Sequence, residues 1–129
     1  MKLKNTFVFS LLLLLSLPSF AQETSEENQV KKAQEMAQKS GAMMKESLQL
    51  TEDQIPKVSE INLEFSKKMI ALFEKPGSMF GKMGDAKKNS KERNTQLEKV
   101  LTPEQMKLFE DKVQDKIRKE MRKLMKKDS

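Results

Sequence analysis

The sequence predicts an all-α protein of four helices arranged as two linked pairs. Three observations predict it. Apolar residues recur at three- and four-residue spacing through most of the chain, and no stretch alternates with the two-residue period of a strand. The pentapeptide Leu50-Thr51-Glu52-Asp53-Gln54 recurs 51 residues on as Leu101-Thr102-Pro103-Glu104-Gln105. Each copy sits between two helix-like runs. The only strong break lies between the copies, where Pro76-Gly77 is a turn signal and Gly81 and Gly84 follow within a few residues.

The pentapeptide is chemistry for starting a helix. Thr51 and Thr102 are candidate N-caps, whose hydroxyls accept from the backbone N–H three residues on. Gln54 and Gln105 stand at that third position and can reach back to the cap's own N–H, completing a capping box. Leu50 and Leu101 can staple onto Ile55 and Met106 in the new helices. Pro103 falls at the first helical position, where its missing N–H costs nothing. Pro56 lies just beyond the first turn and removes one internal hydrogen bond, so an irregular start is expected there.

The elements follow in order. Lys2 and Lys4 precede an apolar run from Phe7 to Leu17, with five consecutive Leu at 11–15, broken by Pro18. Ser19-Phe20-Ala21 places small residues at the −3 and −1 sites, so a signal peptide over 1–21, cleaved before Gln22, is expected. The run is shorter than the roughly 20 residues of a membrane span. Residues 22–29, with Glu23, Glu26 and Glu27, read as a flexible acidic lead-in or the first turn of a helix, and the helical domain proper spans 30–127. Val30, Ala33, Ala37, Met44 and Leu48 predict a first helix over about 27–48, interrupted at Gly41. Ile55, Val58, Ile61, Phe65, Met69 and Leu72 form the stripe of a second, with Phe73 beside it. The break reads as Glu74 to Gly84. A third helix is expected over about 85–100, poor in apolar residues and basic in its first half through Lys87, Lys88, Lys91 and Arg93. Met106, Phe109, Val113, Ile117, Met121 and Leu124 predict a fourth, running to about Lys126.

Composition narrows the function. Removing Lys2 and Lys4 lowers the formal charge from +6 to +4. There is no Cys, so no disulfide stabilises an exported form, and no His, which removes the commonest general base and metal ligand. No catalytic constellation, phosphate loop or zinc set is visible, and the reading is a non-enzyme without cofactor or metal. Met thioethers can select Cu(I), with Met79 and Met83 in one place and Met43-Met44 in another, but gap-filling in a loose core is the simpler use of Met. Leu, Ile, Val and Phe make up only 20 of residues 22–129, and Met adds nine. So thin a core predicts an open, elongated array that gains by burying a face against a second copy.

The paired L-T-x-x-Q behind a secretion signal resembles the Spy/CpxP family of periplasmic chaperones and envelope-stress proteins, and Val100–Phe109 (V-L-T-P-E-Q-M-K-L-F) carries the closer likeness. The resemblance spans roughly residues 40–125. It implies a periplasmic four-helix chain pairing as an antiparallel dimer around a cradle-like face. It also implies either of two roles. One is ATP-independent binding of unfolded or misfolded envelope proteins that limits aggregation under stress. The other is binding and damping the periplasmic domain of an envelope-stress sensor kinase. The segment between the motifs is shorter here than in the best-known members of that family. His residues that bind metal in some relatives have no counterpart.

A holding chaperone needs a surface that binds many chains loosely. Met and Phe repack cheaply around different partners, and nearby cations speed capture of acidic segments. The candidate apolar contacts are Met43, Met44, Phe73, Met79, Phe80 and Met83. The candidate cations are Lys67, Lys68, Lys87, Lys88 and Lys91. A further cationic crowd (Lys112, Lys116, Arg118, Lys119, Arg122, Lys123, Lys126, Lys127) occupies the fourth helix. It suits acidic clients or an anionic lipid surface, and partly the helix dipole. Nucleic acid is a poor partner for an exported chain.

Overall fold

A computed structural model describes residues 20–127, with side chains from Ser25 onward. Four helices make up the fold, and no strand occurs among the described residues. They are α1 (Phe20–Leu48), α2 (Gln54–Glu74), α3 (Met79–Glu98) and α4. The last is one continuous helix of three segments: Pro103–Leu108, a π-helical turn Phe109–Val113, and Gln114–Lys126. Apart from Phe20 and Ala21, the expected signal peptide lies outside the described residues.

α1 starts earlier than the apolar spacing indicates. Residues 22–29 are helix, the second of the two readings that their sequence allows. Their Glu and Gln residues are good helix formers, early acids suit the positive end of the dipole, and Glu27 pairs with Lys31 one turn on at 2.8 Å. Gly41 does not interrupt the helix. α1 ends at Gln49, which takes a left-handed φ of 51°, while Leu50 N–H donates back to Lys45 C=O at 3.4 Å. That is a Schellman-type end with Gln in the place usually given to Gly.

α2 is the central helix. Val58, Ile61, Phe65, Met69 and Leu72 are buried as the stripe requires, but so are Asn62, Ser66 and Ile70. The helix is covered on two sides because α1 packs along one and α3 along the other. The break after it is shorter than expected. Only 75–78 is non-helical, with Gly77 at φ +135°, where a side chain would be strained. α3 opens at Met79, not near Asp85. The Ser78 hydroxyl accepts from Gly81 N–H at 3.4 Å, and this cap offsets part of the helix cost of Gly81 and Gly84.

All connections reverse the chain. At one pole lie the two pentapeptide junctions. At the other, the Gln29 amide donates to the Glu74 carboxylate, joining the outer reaches of α1 and α2. α4 runs back along α1. Met44 and Leu48 share a core with Leu97, Leu101, Met106, Phe109, Val113 and Ile117 near the junction pole. A smaller cluster of Ala33, Met36 and Ile70 receives Met121, Leu124 and Met125 toward the other. Burying side chains such as Phe109 and Leu97 stabilises the fold by about 1.5–3 kcal/mol each. Most of this burial is at the junction pole.

Candidate functional site

The two pentapeptides meet. In the first, Gln54 N–H donates to Thr51 Oγ1 at 3.3 Å, and Thr51 N–H to Gln54 Oε1 at 3.1 Å. In the second, Gln105 N–H donates to Thr102 Oγ1 at 3.2 Å, and Thr102 N–H to Gln105 Oε1 at 3.0 Å. Both are capping boxes. The expected irregularity is confined to the first: residues 52–53 form a turn, and the regular helix starts only at Gln54. In the second, Pro103 lets the helix begin directly after Thr102.

What the boxes leave free joins them. Gln54 Nε2 donates to Gln105 Oε1 at 2.8 Å, and Gln105 Nε2 donates to Gln54 Oε1 at 3.0 Å. The remaining protons of the two amides go across the interface. Gln54 Nε2 reaches Val100 C=O at 3.0 Å, and Gln105 Nε2 reaches Leu48 C=O at 3.2 Å. Each glutamine thus starts its own helix, pairs with its twin, and satisfies a carbonyl at the end of the helix before the other motif. Leu101 and Met106 are buried in the main core, and half-buried Leu50 packs against it. The motif residues therefore form a two-fold polar clasp that ties all four helices together.

One layer further in, Arg93 is buried. Its guanidinium stacks 4.3 Å from the Phe65 ring centre and 5.1 Å from that of Phe109. Arg93 Nε donates to Asn94 Oδ1 at 3.2 Å, and its terminal nitrogen donates to Gln114 Oε1 at 2.9 Å. Asn94 Nδ2 also donates to Gln114 Oε1, at 3.1 Å. Among the described residues no carboxylate pairs with Arg93. Burial, then the charge of Arg118, lowers its pKa to about 10. Arg93 is therefore a core residue, not part of a basic surface on α3. It sits at the 3–4 spacing of Leu97 and Val100, which is the signal that places it on the inward face. Phe109 opens the π-helical turn and Gln114 follows it, so both contacts come from the place where α4 departs from a regular α-helix.

The candidate contact residues divide. Met79, Phe80 and Met83 project from the first turns of α3 with 65%, 88% and 62% of their surface exposed. Lys87 and Lys91 continue the same exposed side at three- and four-residue spacing, and Lys88 is also exposed. Phe73 is half-buried, and its C=O accepts from Lys82 Nζ at 3.0 Å. Met44 is not a surface residue. It is fully buried, and its sulfur accepts from Asn62 Nδ2 at 3.4 Å, because α1 turns it toward α2. Met43 is half-buried on the flank of α4. Lys67 is exposed, whereas Lys68 is neutralised by Glu64 at 3.2 Å and Glu92 at 2.9 Å. No cluster of three or more His, Cys, Asp or Glu suited to a metal ion occurs among the described residues. None of the described helices is long and apolar enough to cross a membrane.

Residues 21–109 match the family described as "Domain of unknown function (DUF4890)". No curated protein and no solved structure matches the chain.

Proposed function

The chain belongs to the DUF4890 family, and we propose that it acts as an ATP-independent holding chaperone of the periplasm, binding unfolded envelope proteins and limiting their aggregation. The observation that carries this reading is the exposed turn of Met79, Phe80 and Met83. Large apolar side chains this exposed, side by side, gain by contact with another apolar surface. They project from the first turns of a helix with most of their surface exposed, so they impose little geometry on what they touch. Met and Phe adapt to varied partners, and Lys87, Lys88 and Lys91 beside them attract acidic segments. The paired L-T-x-x-Q motifs, through their resemblance to the Spy/CpxP family, support the same reading and a dimeric state.

The test is light scattering from a reductant- or heat-denatured client. Suppression at near-stoichiometric ratio is expected for the wild type. A triple variant M79S/F80S/M83S loses it while circular dichroism retains the helical signal, since these side chains bury little. No suppression across several clients would overturn the chaperone reading in favour of an accessory that binds and damps an envelope-stress sensor kinase.

A further inference from the structure

α4 carries a second surface, distinct in chemistry from the apolar turn of α3. Lys112, Lys116, Lys119, Lys123 and Lys126 follow one another at spacings of four, three, four and three residues. On a helix that spacing sets them in one line. All five are exposed, because Val113, Ile117, Met121 and Leu124 turn the opposite side of α4 into the bundle. At ~1.5 Å per residue the line is roughly 21 Å long. Only Lys123 of the five is held in an ion pair among the described residues, by Glu120 at 2.6 Å. Asp111 and Asp115, the nearest other acids of known pairing, are taken by Lys107 at 2.8 Å and Arg118 at 3.1 Å. Behind the line an open groove of about 470 Å3 runs between α1 and α4, floored by Met43 and walled by Lys116, Lys119, Arg122 and Lys123 with Glu120.

We propose that this lysine line is a peripheral docking face for the anionic headgroups of a lipid bilayer. The partner must be anionic, since five aligned cations repel any other basic surface, including a second copy of this face. The large exposed apolar side chains among the described residues are Val30, Met79, Phe80 and Met83, none of them on α4. The face therefore has nothing with which to retain an apolar unfolded segment, and an acidic unfolded chain would have to be straightened along the helix at an entropic cost. A lipid surface needs no such ordering. It offers phosphates wherever the straight line falls, and lysine stems lie along the surface while their ammonium groups reach the headgroups. The groove, walled by Lys116, Lys119, Arg122 and Lys123, brings Arg122 within reach of the same headgroups as the line. Contact of this kind is electrostatic and peripheral.

The test is co-sedimentation of the full chain with vesicles of phosphatidylcholine alone and of phosphatidylcholine with phosphatidylglycerol. The phosphatidylcholine arm measures any contribution of the apolar run at 7–17. Binding that increases with phosphatidylglycerol and is lost between about 0.05 M and 0.5 M salt is expected. The variant K112Q/K116Q/K119Q/K123Q/K126Q should lose that increment by at least about tenfold. The variant K31Q/K45Q/K57Q/K75Q/K99Q, with the same change in net charge elsewhere, should keep most of it. Gln is a good helix former, and circular dichroism checks that α4 survives. Equal loss in both variants would reduce the effect to net charge and overturn the proposal. So would binding indifferent to phosphatidylglycerol, or capture of poly-glutamate by the wild type in the absence of any vesicle binding.

Discussion

Replacing Gln105 by Glu separates an ordinary capping box from the clasp. In an ordinary box, Glu at this position serves as well as Gln, and its charge gains about 0.3–1 kcal/mol from the helix dipole. Here the amide also donates to Leu48 C=O at 3.2 Å and to Gln54 Oε1 at 3.0 Å. A carboxylate keeps the bonds accepted from Thr102 N–H and Gln54 Nε2 but loses both donated bonds and points an anion at two oxygens. At about 0.5–1.5 kcal/mol per part-buried bond, the loss is about 1–3 kcal/mol, against the dipole gain. Gln105→Glu should therefore destabilise the protein by about 1–2 kcal/mol. With a urea m-value of about 1–3 kcal/mol/M the midpoint falls by roughly 0.3–2 M. Protonating the introduced carboxyl below its usual pKa of about 4.3 should return part of the loss. A double-mutant cycle of Gln54→Ala and Gln105→Ala should show a coupling of about 1 kcal/mol or more, because the two side chains bond each other directly. A Gln105→Glu variant as stable as the wild type, or a cycle additive within about 0.3 kcal/mol, would refute the clasp.

Other consequences are direct. Gln49→Gly should raise stability by about 0.5–1 kcal/mol in chemical denaturation, by relieving a left-handed φ of 51° at the end of α1. Arg93→Met, which removes a desolvated cation but keeps apolar bulk between Phe65 and Phe109, should lie within about 1 kcal/mol of the wild type; Arg93→Ala should lose about 2–4 kcal/mol to the cavity. Lys31, Lys68 and Lys123 hold the carboxyls of Glu27, Glu92 and Glu120 below their ordinary pKa. A folded pKa below the unfolded one gives stability that is present above the unfolded value and lost as pH falls through the folded one. Stability should accordingly hold down to about pH 5 and decline below it, and the difference between wild type and Lys68→Gln should shrink in acid.

The helix count, the order of elements and the two capping boxes were legible because each rests on local chemistry: spacing for the stripes, Thr and Gln three apart for the starts. The pairing of Gln54 with Gln105 was not, since it depends on two junctions meeting at one pole of the fold. The start of α3 differs from the expected one because Gly81 and Gly84 look like breakers, while Ser78 caps a helix that runs through both. Residues 22–29 left two readings open because the stretch before Val30 offers no apolar spacing to report a helix. Met44 and Arg93 show the limit of residue type. A helix that turns Met inward makes it core, and two facing aromatic rings with two amides make a cation tolerable inside.

The uneven placing of the core predicts where the fold opens first. From Met79 to Glu92, α3 buries no side chain fully; its buried residues, Arg93 and Leu97, lie in the last two turns. With no fully buried side chain of its own, the outer part leans on half-buried Ala86 and on polar contacts: Lys82 Nζ on Phe73 C=O at 3.0 Å, Asn89 Nδ2 near the Met69 sulfur at 3.9 Å, and the Lys68–Glu92 pair at 2.9 Å. An exposed ion pair is worth about 0–1 kcal/mol, and two glycines in the same stretch each cost the helix about 1 kcal/mol relative to Ala. Residues 79–92 should thus exchange their amide hydrogens through local opening of low free energy, while α2 from Val58 to Leu72 exchanges only on global unfolding. The clasp stands outside this opening, since its bonds involve only residues 48–54 and 100–105, so Gln105→Glu should speed exchange in α2 and leave 79–92 almost unchanged. Native-state hydrogen exchange across a urea series reads both. Protection of 79–92 equal to that of α2 would mean that the polar contacts hold α3 as firmly as burial holds α2, and would remove the mobile apolar turn on which loose binding of varied chains relies.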